Sequence, residues 1–147
     1  MQKHIKTNSV LRIIDANFNR GKEGLRVCEE ITRFLLQDRK LTSEFKKERH
    51  KVDSLIKLLA PSEALLECRY SLRDVGMNIG GNELKRNNVY DIFLANIQRV
   101  KEGVRVLEEF SKLINKDAAL GFKRMRYRIY EIEKKALKKI PSLSHIR

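Results

Sequence analysis

The sequence predicts an all-α fold: internally duplicated helical hairpins forming a four-helix-type bundle, with a short extra helix and a long central loop. Three observations carry this. Residues 16–30, A-N-F-N-R-G-K-E-G-L-R-V-C-E-E, match residues 95–109, A-N-I-Q-R-V-K-E-G-V-R-V-L-E-E, at ten of fifteen positions with an offset of 79. A weaker match follows, Phe45 to Val52 against Phe122 to Ile129, at an offset of 77. Apolar residues recur with helical spacing almost throughout, and period-two alternation is nearly absent.

The elements follow in order. The first helix is predicted to start after Thr7-Asn8-Ser9 and to run to about Gln37, with Val10, Ile13, Ile14, Phe18, Ile31, Phe34 and Leu35 giving its periodicity. The second starts near Thr42 as its cap and ends before Pro61. A short helix spans Ser62 to Glu67. Residues 69–87 hold Gly76, Gly80, Gly81 and several Asn, and read as loop. The third long helix follows Asn88, with Asp91 completing a capping-box-like pattern, and runs to about Ile114. The fourth starts near Asp117 and ends before Pro141. The expected organisation is one helical domain over 1–147, with half one at about 9–60, the central loop at about 69–87 and half two at about 89–140. Short turns make each half an antiparallel hairpin, and the two halves are expected to meet with approximate two-fold symmetry.

Bulk properties narrow the function classes. The 147 residues carry a net charge of +13, which suits anionic partners, phosphorylated small molecules among them. With no Trp and no zinc-finger, RRM or KH signature, nucleic acid is disfavoured as a partner. No apolar run reaches the roughly 18 residues of a membrane span, and Met1 to Lys6 has no apolar signal-peptide core. Cys28 and Cys68 match no metal spacing and suit a reducing, cytoplasmic setting. The sequence leaves a homo-oligomer open.

The candidate site lies on the repeated motif. Asn17, Arg20, Gly24, Val27 and Ile31 fall on one helical stripe, continuing Ile13 and Ala16, and Asn96, Arg99, Gly103, Val106 and Phe110 repeat it. Asn17 and Arg20 are therefore expected to face the bundle interior or a cleft in it. Arginine in such a place is costly unless it meets an anion. Glycine there allows close approach by another helix or a ligand. Glu23, Arg26 and Glu30, like Glu102, Arg105 and Glu109, flank the stripe, where an ion ladder is the plainer reading. Glu29 and Glu108 are expected to belong to such a ladder. In the loop, Arg69, Arg73, Asp74 and Gly76 suit an anion-binding lid, with Asp74 able to hold Mg²⁺ or accept a proton. No Walker loop and no G-x-G-x-x-G is present. His50, with its counterpart Tyr127, is expected to pack on a helix face, and His4 and His145 to lie on the surface.

The run I-I-D-A-N-F-N-R-G-K-E-G-L-R-V-C-E-E-I, the loop R-x-x-x-x-D-V-G and the later A-N-I-Q-R-V-K-E-G-V-R-V-L-E-E-F with R-Y-R-I-Y-E-I-E resemble a known family over residues 9 to 137. It is the helical hydroxymethylpyrimidine-phosphate kinase domain commonly fused in front of thiamine-phosphate synthase. The resemblance implies ATP-dependent phosphorylation of 4-amino-5-hydroxymethyl-2-methylpyrimidine phosphate to its diphosphate, for thiamine biosynthesis. It implies ATP and Mg²⁺ as cofactors and a separate thiamine-phosphate synthase as a partner. On that reading Arg20, Arg99 and Asp74 are catalytic. Asn17, Glu23, Arg26, Arg69, Arg73, Gly76, Asn96, Glu102 and Arg105 bind substrate or phosphates, and Asp74, Glu30 and Glu109 hold the metal. A synthase barrel needs about 200 or more further residues, so synthase activity is not expected of these 147 by themselves. The alternative is a non-catalytic module that binds the synthase, or pyrimidine or thiamine phosphates. One shared site between the halves, roofed by the single loop, is expected rather than two.

Overall fold

A computed structural model describes residues 2–78 and 84–147, with side chains from Thr7 onward. Gly80, Gly81 and the His4 side chain lie outside the described residues. The long elements are α1 (Gln2–Glu30), α2 (Arg39–Ile56), α3 (Ser62–Glu67), α4 (Val89–Ser111) and α5 (Lys116–Ala136). Single 3₁₀ turns occupy Ser71–Arg73 and Ile140–Leu143, and no strand occurs among the described residues. The fold is all-α, as the duplicated pattern predicts. None of the described helices is long and apolar enough to cross a membrane.

Boundaries differ from expectation where a stronger cap or a missing breaker decides. α1 begins at Gln2 rather than after Ser9, because residues 2–9 contain neither Gly nor Pro to stop it. α2 is capped by Asp38, whose carboxylate accepts from Leu41 N at 2.9 Å. The expected cap, Thr42, lies inside the helix and donates to Asp38 O at 2.7 Å. Asn115 caps α5 in the same manner, accepting from Ala118 N at 3.0 Å. Asp38 and Asn115 are 77 apart, whereas the helices before them repeat at 79, so the first half contains two extra residues. They are absorbed as a π-helical turn at Ile31–Leu35, followed by Gln37 at φ 53°. α4 starts as expected, with Asn88 Oδ1 accepting from Asp91 N at 2.9 Å. Asp91 returns its bond to Asn87 N rather than to Asn88 N. The helix ends at Ser111 instead of Ile114, in a turn leading to Asn115.

The four long helices close a ring in which α1 packs on α4, α4 on α5, α5 on α2 and α2 on α1. At the α1–α4 seam the two backbones come close. A Cβ built on Gly24 would stand 2.6 Å from Val100 Cγ2 and 3.0 Å from Asn96 O. On Gly103 it would stand 3.3 Å from Asn17 O and 3.6 Å from Gly21 N. Gly24 and Gly103 are equivalent positions, as are Gly21 and Val100, and Asn17 and Asn96. The contacts are thus reciprocal: α1 and α4 run antiparallel about a pseudo-two-fold axis near Gly21 and Val100. Around this seam lie Ile14, Leu25, Ile97, Val104 and Leu107, with Phe45 and Phe93 edge-to-face at 6.2 Å.

The buried face of α1 reads Ile14, Asn17, Gly21, Gly24, Leu25 and Cys28, and Ile31 continues it in the π-helical turn. Arg20 and Arg99 lie one position off it and are exposed, which corrects the expectation of an interior arginine but leaves a cleft position open. His50 is exposed and Tyr127 more than half exposed, because Phe45, Val52, Met125 and Ile129 take the inward positions of their helices, but Tyr127 packs along its own helix face, edge-on to Tyr130 at 6.0 Å.

The buried carboxylates within the bundle each have an arginine. Glu29 accepts from Arg49 Nε at 2.7 Å and Glu108 from Arg126 Nε at 2.9 Å, equivalent pairs that tie each hairpin together. Burial alone would raise the Glu108 carboxyl, but Arg126 and Arg105 outweigh it and hold it below the usual range. Glu48 accepts from Arg128 at 2.7 and 3.1 Å and joins the halves across α2 and α5.

Two glycine substitutions test the seam against helix propensity. Gly24→Ala pushes a methyl into Val100 and is expected to destabilise by about 1–3 kcal/mol. Gly21→Ala, with nothing within 4 Å of its added Cβ, should stabilise by up to about 1 kcal/mol. Urea unfolding monitored by circular dichroism reads both, and equal effects would contradict the seam.

Candidate functional site

Arg12, Asp15, Ala16, Asn19, Arg20 and Glu23 recur at helical spacing and form one face of α1. Arg99 of α4 reaches the same face because the seam brings its equivalent, Arg20, alongside the pseudo-two-fold axis. Residues 69–74, which follow α3, cross this face as a strap and add Arg69, Tyr70, Ser71 and Asp74. Together these residues line an open cavity of about 430 Å³. Its wall holds four guanidinium groups and three carboxylates. From Arg12 to Arg20 the face extends roughly 12 Å along the helix at 1.5 Å per residue.

Partners divide the charged groups into two sets. Asp15 is buried, and Arg69 grips it through two bonds, Nε to Oδ2 and Nη2 to Oδ1, both 2.8 Å. The carboxylate holds the Arg69 guanidinium above its ordinary value. Arg12 donates to Tyr70 O at 3.4 Å and lies 5.8 Å from the centre of the Tyr70 ring. Asp74 accepts from Gly76 N at 2.8 Å, an Asx turn that leaves the rest of its carboxylate exposed. Among the described residues Arg20 reaches only Asn17 Oδ1, at 3.4 Å. Among the described residues, Arg99 and Glu23 have no hydrogen-bond or ion-pair partner.

Of the residues singled out from sequence, the cavity gathers Arg20, Glu23, Arg69, Asp74 and Arg99. Asn17 lies behind it, buried in the seam, where its Nδ2 donates to Ile13 O at 2.8 Å, and Asn96 donates to Ile92 O in the same way. Gly76 serves the Asp74 turn, and Arg73 is exposed without lining the cavity. The remainder stand elsewhere. Arg26 pairs with Glu29 and with Glu30 at 3.1 Å, and Arg105 with Glu108 and with Glu109 at 3.1 Å. Glu109 also meets Lys112, and Glu102 accepts from Gln98. These are the flanking ladders, extended by Arg49 and Arg126, and they do not bring Glu30 or Glu109 to Asp74. Among the described residues no three His, Cys, Asp or Glu form a metal-holding group.

Sequence reasoning missed Arg12, Asp15, Asn19, Tyr70 and Ser71. A signal for the first two existed in the divergence of the repeats. At the offset of 79, Arg12 aligns with Asp91 and Asp15 with Leu94, so the first copy carries a cation where the second has a carboxylate, and a carboxylate where the second has a leucine.

Comparison with known proteins gives a consistent result. The ThiD2 family profile matches residues 12–135. A thiamine-phosphate synthase of Synechocystis sp. is 41% identical over 130 residues, 85% of this chain and 35% of that protein. Another of Nostoc sp. is 38% identical over 133 residues, 90% of this chain and 36% of the relative. A third, of Rhodopirellula baltica, is 33% identical over 126 residues, covering 85% of this chain and 33% of its own length. The chain spans about a third of the length of these relatives. No solved structure matches it.

The division into free and paired cations is open to measurement with inorganic pyrophosphate. Arg20→Ala and Arg99→Ala should each weaken its binding about 10-fold or more, the range for losing a hydrogen bond to a charged group. Both should keep the wild-type helical spectrum, since both side chains are exposed. Isothermal titration decides it. Equal losses from Arg26→Ala and Arg105→Ala would place the anion site on the ladders instead.

Proposed function

This chain belongs to the ThiD2 family, its context is thiamine biosynthesis, and from that premise we propose that it phosphorylates 4-amino-5-hydroxymethyl-2-methylpyrimidine phosphate to the diphosphate with ATP. The observation that supports this most is the convergence of Arg20 and Arg99. They occupy equivalent positions of the two repeats, line one cavity, and neither pairs with a carboxylate among the described residues.

The chemistry fits such a site. The acceptor is a phosphate oxygen of a monoester whose second ionisation lies near about pH 6, so at neutral pH it is already nucleophilic. It attacks the terminal phosphorus of ATP, a new P–O bond forms, and the bond to the bridging oxygen breaks to release ADP. No proton need be removed, so a histidine base is unnecessary. The obstacle is the approach of two anions. Arg20 and Arg99 offer planar donors to phosphoryl oxygens and offset the charge that builds in transfer. Arg12, at the far end of the face, adds a third guanidinium.

Glu23 and Asp74 are oxygen donors on the same wall. Neither has a cationic side-chain partner among the described residues, and two carboxylates leave positions for water and phosphate oxygens, as Mg²⁺ prefers. They are the residues we assign to the metal, in place of Glu30 and Glu109. When bound, Mg²⁺ would neutralise phosphate charge. Asn19 and Ser71 supply neutral hydrogen-bonding groups for a pyrimidine ring.

Incubation of the folded protein with Mg-ATP and the pyrimidine phosphate, followed by ³¹P NMR, should show the diphosphate above a control without protein. The rate should rise with pH through the acceptor's second ionisation near about 6. Arg20→Ala should lower it by roughly 100-fold or more, in line with removing a charge-stabilising donor. A folded protein that forms no diphosphate, and whose melting temperature responds to thiamine phosphates but not to ATP, would instead be a non-catalytic binding module.

A further inference from the structure

The four arginines of the cavity are not equivalent, and the difference assigns Arg69 a task other than binding phosphate. Asp15 is a buried carboxylate, and both its oxygens are taken by Arg69 at 2.8 Å, with Asn19 Nδ2 also 3.3 Å from Oδ1. A fork-to-fork pair of this kind uses two parallel donors of the guanidinium and fixes its plane. A carboxylate so enclosed is strongly disfavoured without that partner. Arg69, by contrast, keeps 43% of its side chain in solvent. The pair therefore joins a rigid, buried anchor on α1 to the first residue of the strap.

Little else holds the strap to the bundle. Residues 71–78 are all exposed, with Val75 fully and Leu72 almost fully in solvent and Met77 more than half exposed. The backbone bonds from Arg73 N to Tyr70 O, Asp74 N to Ser71 O and Met77 N to Asp74 O are internal to the strap. The other described tie of these residues to α1 is the weaker one from Arg12, which donates to Tyr70 O and lies over the Tyr70 ring. Both ties come from residues whose counterparts in the second repeat, Asp91 and Leu94, cannot reproduce them.

We propose that Asp15 is a positioning residue. By clasping Arg69 it seats residues 69–74 over the α1 half of the pseudo-symmetric face, so that Ser71 and Asp74 stand at the cavity beside Arg20 and Arg99. Its effect on phosphoryl transfer rests on the reading given above, whereas its effect on the strap does not.

The experiment uses the full chain and reads three quantities for Asp15→Asn, which removes the charge and puts an amide against the guanidinium. Chymotryptic cleavage at Tyr70 or Leu72 should accelerate about 10-fold or more, the size expected from losing charge-assisted bonds that close a local opening. Pyrophosphate affinity, carried by Arg20 and Arg99, should fall by no more than roughly 3-fold, because among the described residues neither arginine bonds to Asp15 or Arg69. In phosphoryl transfer kcat should fall while KM for ATP changes little, the pattern of a lost transition-state group rather than lost binding. Arg69→Lys keeps the charge but not the fork and should fall between wild type and Asp15→Asn on cleavage and kcat. It also carries the test if Asp15→Asn fails to fold. Unchanged strap cleavage, or a pyrophosphate loss as large as that of Arg20→Ala, would overturn the proposal. Faster cleavage in a protein whose wild type transfers no phosphate would leave the clasp standing and refute the kinase reading alone.

Discussion

Gly24 and Gly103 lie where α1 and α4 come closest, and any side chain at Gly24 would collide with Val100 and the Asn96 carbonyl. That close approach sets which residues of the two repeats line the cavity. Two antiparallel helices in reciprocal contact must carry equivalent residues to either side of one axis. Arg20 and Arg99 are equivalent and stand one position outside the buried stripe. The seam therefore delivers both to the same cleft while the bundle excludes them from its core. Each contributes a charge that has no carboxylate partner among the described residues.

That pattern stands out against the rest of the electrostatics. The chain carries +13 overall, yet its buried carboxylates are matched with arginines. Glu29 and Arg49, with their counterparts Glu108 and Arg126, bind each hairpin internally, and Glu48 with Arg128 joins the halves. Such pairs stabilise mainly by preventing an uncompensated buried charge. Where structure alone is served, cation and anion come together. The cavity contains cations and carboxylates that do not, and this is the condition in which an external phosphate is favoured.

The duplication, the helix count and the cleft's principal arginines were legible from the repeated run alone, because ten identities at one offset preserve charged and small residues that packing would not. Capping was legible at Asn88 but not at Asp38, where Thr42 was read as the cap; the offsets of 79 and 77 told of a two-residue adjustment, and the π-helical turn shows where it is absorbed. Glu30 and Glu109 repeat as partners of Arg26 and Arg105, so the same repetition marks an ion ladder there and cavity-lining arginines at Arg20 and Arg99. Arg12, Asp15 and Tyr70 were not legible from the repeat, since they belong to its asymmetric part, and only the path of the strap makes them neighbours.

A duplicated hairpin with identical faces could hold two equivalent sites. Here one copy keeps Arg12 and Asp15 and receives the strap, while the other has Asp91 and Leu94, so a symmetric frame carries a one-sided cleft. The central claim is that both repeats serve that one cleft together. A double-mutant cycle on Arg20 and Arg99, read as pyrophosphate affinity by titration calorimetry, tests it most directly. If both grip the same anion, removing the second should cost much less than removing the first, with a coupling of about 1 kcal/mol or more. Two additive losses, or two independent binding events in the wild type, would show separate sites and contradict it.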